Sequence, residues 1–217
     1  MAIITICGRL GSGAHEIGKL VAEKMHIDFL DRKIVAEVAS RLNLQEQEVV
    51  YKEMPPTGLK ARIAEALVRG YSIGDGTQMV YIPMSQIPLD DNNYLKALTS
   101  FVKDIARSHS VVIFGRGSQF ILQDCPSALH ILVVAPYRTR LNRVMTERGL
   151  GEEQARQEIN RFDNSAREYI KRFFGAEMDD HMTYDLLVNT ERLTYEAAAD
   201  VIVKTSRLKI TEPAMQG

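Results

Sequence analysis

Gly8 and Gly13 stand five positions apart in Gly8-Arg9-Leu10-Gly11-Ser12-Gly13-Ala14-His15, directly after the apolar run Ile3-Ile4-Thr5-Ile6-Cys7. That spacing suits a phosphate-binding loop, in which glycines let successive backbone N–H groups curl around an anion and the following helix adds its positive end. Other glycine fingerprints fail here. A G-x-G-x-x-G pattern begun at Gly11 needs glycine where Glu16 stands, and G-x-x-x-G-x-G misses by one residue at Gly8, Gly11 and Gly13. The remaining alternative is a plain glycine-rich turn. Compared with the usual G-x-x-x-x-G-K-[ST] loop, Ala14 replaces the lysine and His15 replaces the Mg²⁺-holding hydroxyl. Charge on a bound phosphate must then be met by Arg9, Lys19, a metal or distant arginines. An imidazole is a poor direct Mg²⁺ ligand, so His15 has either a capping role or a phosphate contact.

Two further groups carry chemistry. Arg116 lies in Gly115-Arg116-Gly117 after the apolar run at residues 111–114. Ligands of open parallel sheets collect at the carboxyl ends of strands, so Arg116 is expected to face the same crevice as the loop; otherwise it is a solvated turn residue. Arg161-Phe162-Asp163-Asn164-Ser165-Ala166-Arg167 reads as helical. Asp163 and Arg167, at i and i+4, are expected to pair and orient the arginine. Alone this is a solvated helix face; beside a phosphate loop it is a lid whose arginines spread the charge that develops in phosphoryl transfer.

These residues need a scaffold of strands and helices. Buried strands are expected at residues 3–7, 27–30, 111–114, 129–134 and 186–188, and helices at 14–25, from 34 to 42, 59–68, 92–107, 137–148 and 195–206. Asp90 and Asp91 supply N-cap chemistry for the helix at 92–107, whose apolar face could meet its own core or a second subunit. Pro136 suits a helix start and Gly149 a helix stop. Alternating strands and helices predict a mainly parallel sheet covered on both faces.

The chain has 217 residues, of which 45% are hydrophobic, enough for one substantial core. A net charge of -1 gives no sign of a nucleic-acid binder. Cys7 and Cys125 form neither a disulfide framework nor a metal pair, and Cys7 reads as a small buried hydrophobe. No signal peptide is recognised and no apolar stretch approaches the ~18 residues of a membrane span. The expectation is therefore a cytoplasmic protein with no membrane partner.

The residues as a set resemble the cytidylate-kinase-like family, divergent P-loop relatives of bacterial cytidylate kinase. The resemblance rests on Leu10-Gly11-Ser12-Gly13 with Glu16-Ile17, Phe29-Leu30-Asp31, Gly115-Arg116-Gly117-Ser118-Gln119, and Ala135-Pro136 followed by Arg138, Arg140 and Arg143. Asp163 with Arg167 and the segment Tyr184 to Thr190 complete it, colinear from Ile3 to about Ser206. It implies an α/β, three-layer P-loop NTPase fold of the nucleoside monophosphate kinase type. Residues 1–217 would form a single kinase-like domain: a core with the loop at 8–15, an acceptor-binding excursion at about 31–90 and a helical lid at about 150–182. This family's own loop lacks the lysine, as Ala14 does, whereas cytidylate kinases keep it and place Asp where Gly117 stands.

The implied activity is transfer of the ATP γ-phosphoryl group to a nucleoside monophosphate, CMP or dCMP first. Gly8, Gly11, Ser12, Gly13, Ala14 and His15 would hold the donor phosphates. Arg161, Asp163 and Arg167 would act from the lid, and Asp31, Arg32 and Arg116 would hold the acceptor. Mg²⁺ is expected without an identifiable protein ligand, and the helix at 92–107 leaves a homodimer open. The alternatives are a nucleotide-binding regulatory protein without turnover and a kinase of another small acceptor.

Overall fold

The computed structural model describes residues 1–31, 33–42 and 91–211. The helix expected at 59–68, Arg32 and most of the 31–90 excursion lie outside these residues. Five strands, β1 (Ile3–Gly8), β2 (Asp28–Leu30), β3 (Val111–Phe114), β4 (Ala128–Val134) and β5 (Leu186–Asn189), form one sheet in the order β2-β3-β1-β4-β5. Every pairing is parallel. β1 is the middle strand and all six of its residues are buried, which is why it reads as an unbroken apolar run.

The period of two along the strands divides the core. Ile3, Cys7, Val111, Ile113, Ala128 and Leu132 face one cluster, while Ile4, Ile6, Val112, Leu129, Ile131 and Val133 face the other. On the second face lie α1 (Ala14–Met25) and the last helix, α7 (Tyr195–Thr211). The first face is covered by α2 (Lys33–Leu42), α3 (Asp91–Ser108) and the C-terminal half of α6 (Glu152–Phe174). This is the expected three-layer arrangement. Tyr94, Leu98, Phe101, Val102 and Ala106 bury the apolar face of α3 against this chain's own core.

Two shorter elements complete the site's frame. α4 (Ser118–Ile121), a four-residue helix the periodicity did not predict, follows the Gly115-Arg116-Gly117 turn. α5 (Tyr137–Arg148) starts after Pro136 and stops at Gly149, as expected, with Gly149 in the left-handed region. α5 packs on α6 through Leu141, Val144, Ala155 and Ile159, and Leu10 of the glycine loop rests on that cluster. α6 is one continuous 23-residue helix, packed on α5 near its start and on the main core near its end.

Candidate functional site

The parallel register sets the position of the site. Ile6 pairs with Phe114 and Leu30 with Ile113, so β1, β2 and β3 end at one edge. The glycine loop, Asp31 and the Gly115-Arg116-Gly117 turn all open there, the usual place for a ligand on such a sheet. Gly115 is fixed to β1 by its N–H, which donates to Ile6 O at 3.0 Å.

The loop's shape depends on backbone that only glycine adopts cheaply. Gly11 has φ +78, and a Cβ there would stand 2.7 Å from Arg140 O; Gly13 has φ +86 and is covered by the Tyr195 ring. Gly13 is also the N-cap of α1, and the Ser12 hydroxyl, buried beneath it, accepts from Ala14 N at 3.4 Å. The loop's carbonyls are bound from outside. Arg140 Nη1 donates to Leu10 O at 3.0 Å, while Arg143 Nη1 donates to Gly11 O at 3.2 Å and Ser12 O at 3.3 Å. Thr190 Oγ1, just past β5, donates to Ser12 O at 2.7 Å and accepts from Arg143 at 2.8 Å. With its acceptors turned toward α5 and β5, the loop leaves the first turn of α1 for an anion, although Ser12 N already donates to Arg9 O at 3.0 Å and Ala14 N to Ser12 Oγ.

Ala14 is buried where the usual lysine would start. His15 is tied elsewhere: Nε2 donates to Asp31 Oδ2 at 2.7 Å, and the ring meets Phe29 and Phe114 edge-on at centroid distances of 5.3 and 5.2 Å. Because a carboxylate can only accept, the Nε2 position carries the proton. Arg116 Nη1 donates to Asp31 O at 2.8 Å, so His15, Asp31 and Arg116 form one cluster. Arg116 has φ 53 between two glycines of positive φ. A left-handed non-glycine residue costs about 1–2 kcal/mol and persists only where its surroundings impose it. Here Tyr169 Oη donates to Arg116 O at 3.4 Å, and Tyr94 Oη lies 2.9 Å from Tyr169 Oη.

The lid residues are arranged differently from the expectation. Asp163 does not pair with Arg167: its Oδ2 accepts from Arg140 at 2.9 Å and lies 3.5 Å from Arg9. Arg167 instead donates to Asn164 Oδ1 at 3.1 Å, and Arg161, two-thirds exposed, lies 3.9 Å from Glu158. Side chains four apart on a helix are neighbours but need not bond, and the buried Arg140 offers Asp163 a drier partner. Asp163 thus ties α6 to the loop, while Arg161 and Arg167 stand on its surface. Arg9 donates to both carboxylate oxygens of Asp179. Partial burial disfavours its charge, yet Asp179 and Asp163 outweigh that and raise its pKa.

Arg140, Arg143 and Thr190 were not singled out as contacts of the loop. The i, i+3 spacing of the two arginines after Pro136 was the available signal, because it puts both on one face of α5. Cys7 is buried as expected but is also polar: its Sγ donates to Tyr184 Oη at 3.4 Å, Gln119 Nε2 donates to the same oxygen at 3.2 Å, and burial pushes the thiol up to about 12. Among the described residues no group of three or more His, Cys, Asp or Glu could hold a metal ion, and no helix is long and apolar enough to cross a membrane.

Known proteins resemble this chain in sequence and in fold. The chain matches the cytidylate kinase-like family over residues 3–192. It is 22% identical over 202 residues to cytidylate kinase of Sulfolobus acidocaldarius, covering 92% of this chain and 91% of that one. A 100-residue stretch, 46% of the chain, is 32% identical to uronate isomerase of Corynebacterium glutamicum, of which it spans only 19%. An uncharacterized protein of Eubacterium ventriosum has a similar structure, with TM-score 0.67, 20% identity and coverage of 95% and 99%. Shikimate kinase of Bacteroides thetaiotaomicron is similar at TM-score 0.51 and 12% identity, covering 95% and 98%, a likeness of fold.

Proposed function

The chain belongs to the cytidylate kinase-like family, and on that premise we propose that it moves the γ-phosphoryl group of ATP to a nucleoside monophosphate, CMP or dCMP first. The observation that carries this reading is the loop whose carbonyls are bound by Arg140, Arg143 and Thr190. The loop and the first turn of α1 would hold the donor phosphates through Gly8, Gly11, Ser12, Gly13, Ala14 and His15, with the Ser12 and Ala14 amides turning from Arg9 O and Ser12 Oγ to do so. Phosphoryl transfer needs positioning and charge stabilisation rather than covalent chemistry, and a fixed loop supplies the positioning.

Asp31, held by His15 and backed by Arg116, stands on the acceptor side, with Arg32 next to it in sequence. Arg161 and Arg167 are the mobile charges of the lid, free to swing because they sit on its surface. Asp163 fixes the helix that carries them. Mg²⁺ would normally accompany ATP, but His15 offers no oxygen where the loop hydroxyl usually stands, and the described residues do not fit a protein-held ion. No step here runs through one.

The test is a coupled assay of the purified protein with ATP, Mg²⁺ and a panel of nucleoside monophosphates and other small acceptors. Turnover highest with CMP or dCMP is the expected result, and no turnover with any acceptor overturns the reading. A second reading, a nucleotide-binding regulator, is favoured by the buried Ala14 and by the commitment of both α5 arginines to carbonyls. It predicts ATP binding by calorimetry without turnover.

A further inference from the structure

Which cation stands in for the loop lysine is decided by the bonds the candidates already make. Arg140 is 5% exposed and is used by Leu10 O and Asp163. Arg143 is used by Gly11 O, Ser12 O, Thr190 O and Thr190 Oγ1. Arg116 reaches Asp31 O from the acceptor side. If either α5 arginine left its carbonyls, the loop would lose the bonds that shape it, so neither is available to a phosphate without undoing the site.

Arg9 differs in three respects. It lies inside the loop, between Gly8 and Gly11. Its partners are carboxylates, not loop carbonyls, so it can leave without disturbing the loop backbone. The carboxylates it would leave keep other contacts: Asp179 is 58% exposed to water, and Oδ2 of Asp163, a side chain 9% exposed, keeps the shorter bond to Arg140. Surface ion pairs contribute little, so a competing anion of higher charge can take the guanidinium from them. Asp163 Oδ1 is in addition a buried oxygen without a hydrogen-bond partner among the described residues, so the carboxylate cluster around Arg9 is not a closed structural network.

We propose that Arg9 is the replacement for the missing loop lysine: its guanidinium moves from Asp179 onto the terminal phosphates of ATP, donating hydrogen bonds to their oxygens, and Asp179 acts as the resting partner that gates it. This rests on the ATP-dependent reading of the loop. Arg9 touches the donor, whereas Asp179 only holds the arginine and sets how readily it moves.

Calorimetry of the full chain with ATP and with adenosine, each in Mg²⁺ buffer, tests it. Arg9→Ala is expected to weaken ATP binding by about 10- to 100-fold while leaving adenosine binding as it was, the loss of a charge-assisted contact to phosphate. Arg9→Lys should recover part of that loss. Asp179→Asn removes the resting partner and should tighten ATP binding severalfold. Equal ATP affinity in Arg9→Ala overturns the proposal, as does an equal loss of adenosine binding, which would mark Arg9 as structural. Unchanged or weaker ATP binding in Asp179→Asn overturns the gate. Wild-type protein that binds no ATP overturns the kinase reading itself, and with it this inference.

Discussion

Arg140 Nη1 lies 2.9 Å from Asp163 Oδ2, and the same nitrogen reaches Leu10 O at 3.0 Å. One buried guanidinium nitrogen thus joins the glycine loop to the long helix α6. The pair is 6% and 9% exposed at its side chains, so neither partner can turn to water if the other is removed. Helix α6 and the glycine loop are coupled at that point.

Breaking the latch from one side should therefore be costly. Arg140→Ala leaves the Asp163 carboxylate buried with only Arg9 nearby and is expected to destabilise the protein by about 3–5 kcal/mol. Arg140→Met combined with Asp163→Leu removes both charges and should cost less than Arg140→Ala. Urea denaturation midpoints of the single and double variants check the order, and additive losses would dissolve the coupling.

Left-handed glycines should separate by what surrounds them. Gly13→Ala forces a Cβ into the Tyr195 ring at φ +86, and is expected to cost about 3 kcal/mol or more from backbone strain and overpacking together. Gly175→Ala, at φ +64 with open space around it, should cost only about 1 kcal/mol and leave ATP binding unchanged. Thermal melts and calorimetry of the two variants test the contrast.

Stability should fall in mild acid through His130. His130 stands on β4 opposite Thr5 of β1, with Nδ1 2.8 Å from Thr5 Oγ1, and burial lowers its pKa below 6.5 despite Asp185 nearby, with Lys209 adding to the shift. Above pH 6.5 the ring is neutral in folded and unfolded chains alike, so its contribution is fully present. As pH falls below that value the unfolded chain takes the proton first, and unfolding becomes easier by at most one proton's linkage. Asp185 works in a different window: burial raises its pKa, but the His130 N–H and Lys209 outweigh that and lower it, so its stabilisation is lost only as pH falls below about the ordinary 3.8. Denaturation curves between pH 7 and 5 should show the slope, and His130→Asn should remove it.

The lid arginines should affect rate and not stability. Arg167 bonds only to exposed Asn164 among the described residues, so Arg167→Ala is expected to leave the denaturation midpoint within error. Turnover should fall about 100-fold or more, the order seen when a charge-stabilising donor is lost from a transition state. Equal turnover in this variant removes Arg167 from the lid.

Much of this protein could be read along the chain. β1 buried on both faces appears as five consecutive apolar or β-branched residues, β3 as four and β4 as an apolar run interrupted by His130, and the start of α5 after Pro136 and its stop at Gly149 fall where proline and glycine chemistry put them. Helix α4 was missed because four residues carry no period. The end of α7 extends from the expected 206 to Thr211, two residues before Pro213, a stop signal the apolar period alone did not reach.

By itself the sequence determined the parallel α/β sheet, the glycine loop at the end of β1, and which arginines exist to serve it, because burial and backbone permissiveness leave local, periodic traces. It could not determine which carboxylate each arginine meets. Asp163 has Arg167 four residues away, yet it bonds Arg140, 23 residues distant, and lies beside Arg9 across the fold. That choice was made by the packing of Leu141 and Val144 against Ala155 and Ile159, which brings α5 and α6 together and places a buried cation over a buried anion. Charges pair by distance and dielectric in three dimensions, and only the tertiary structure sets those.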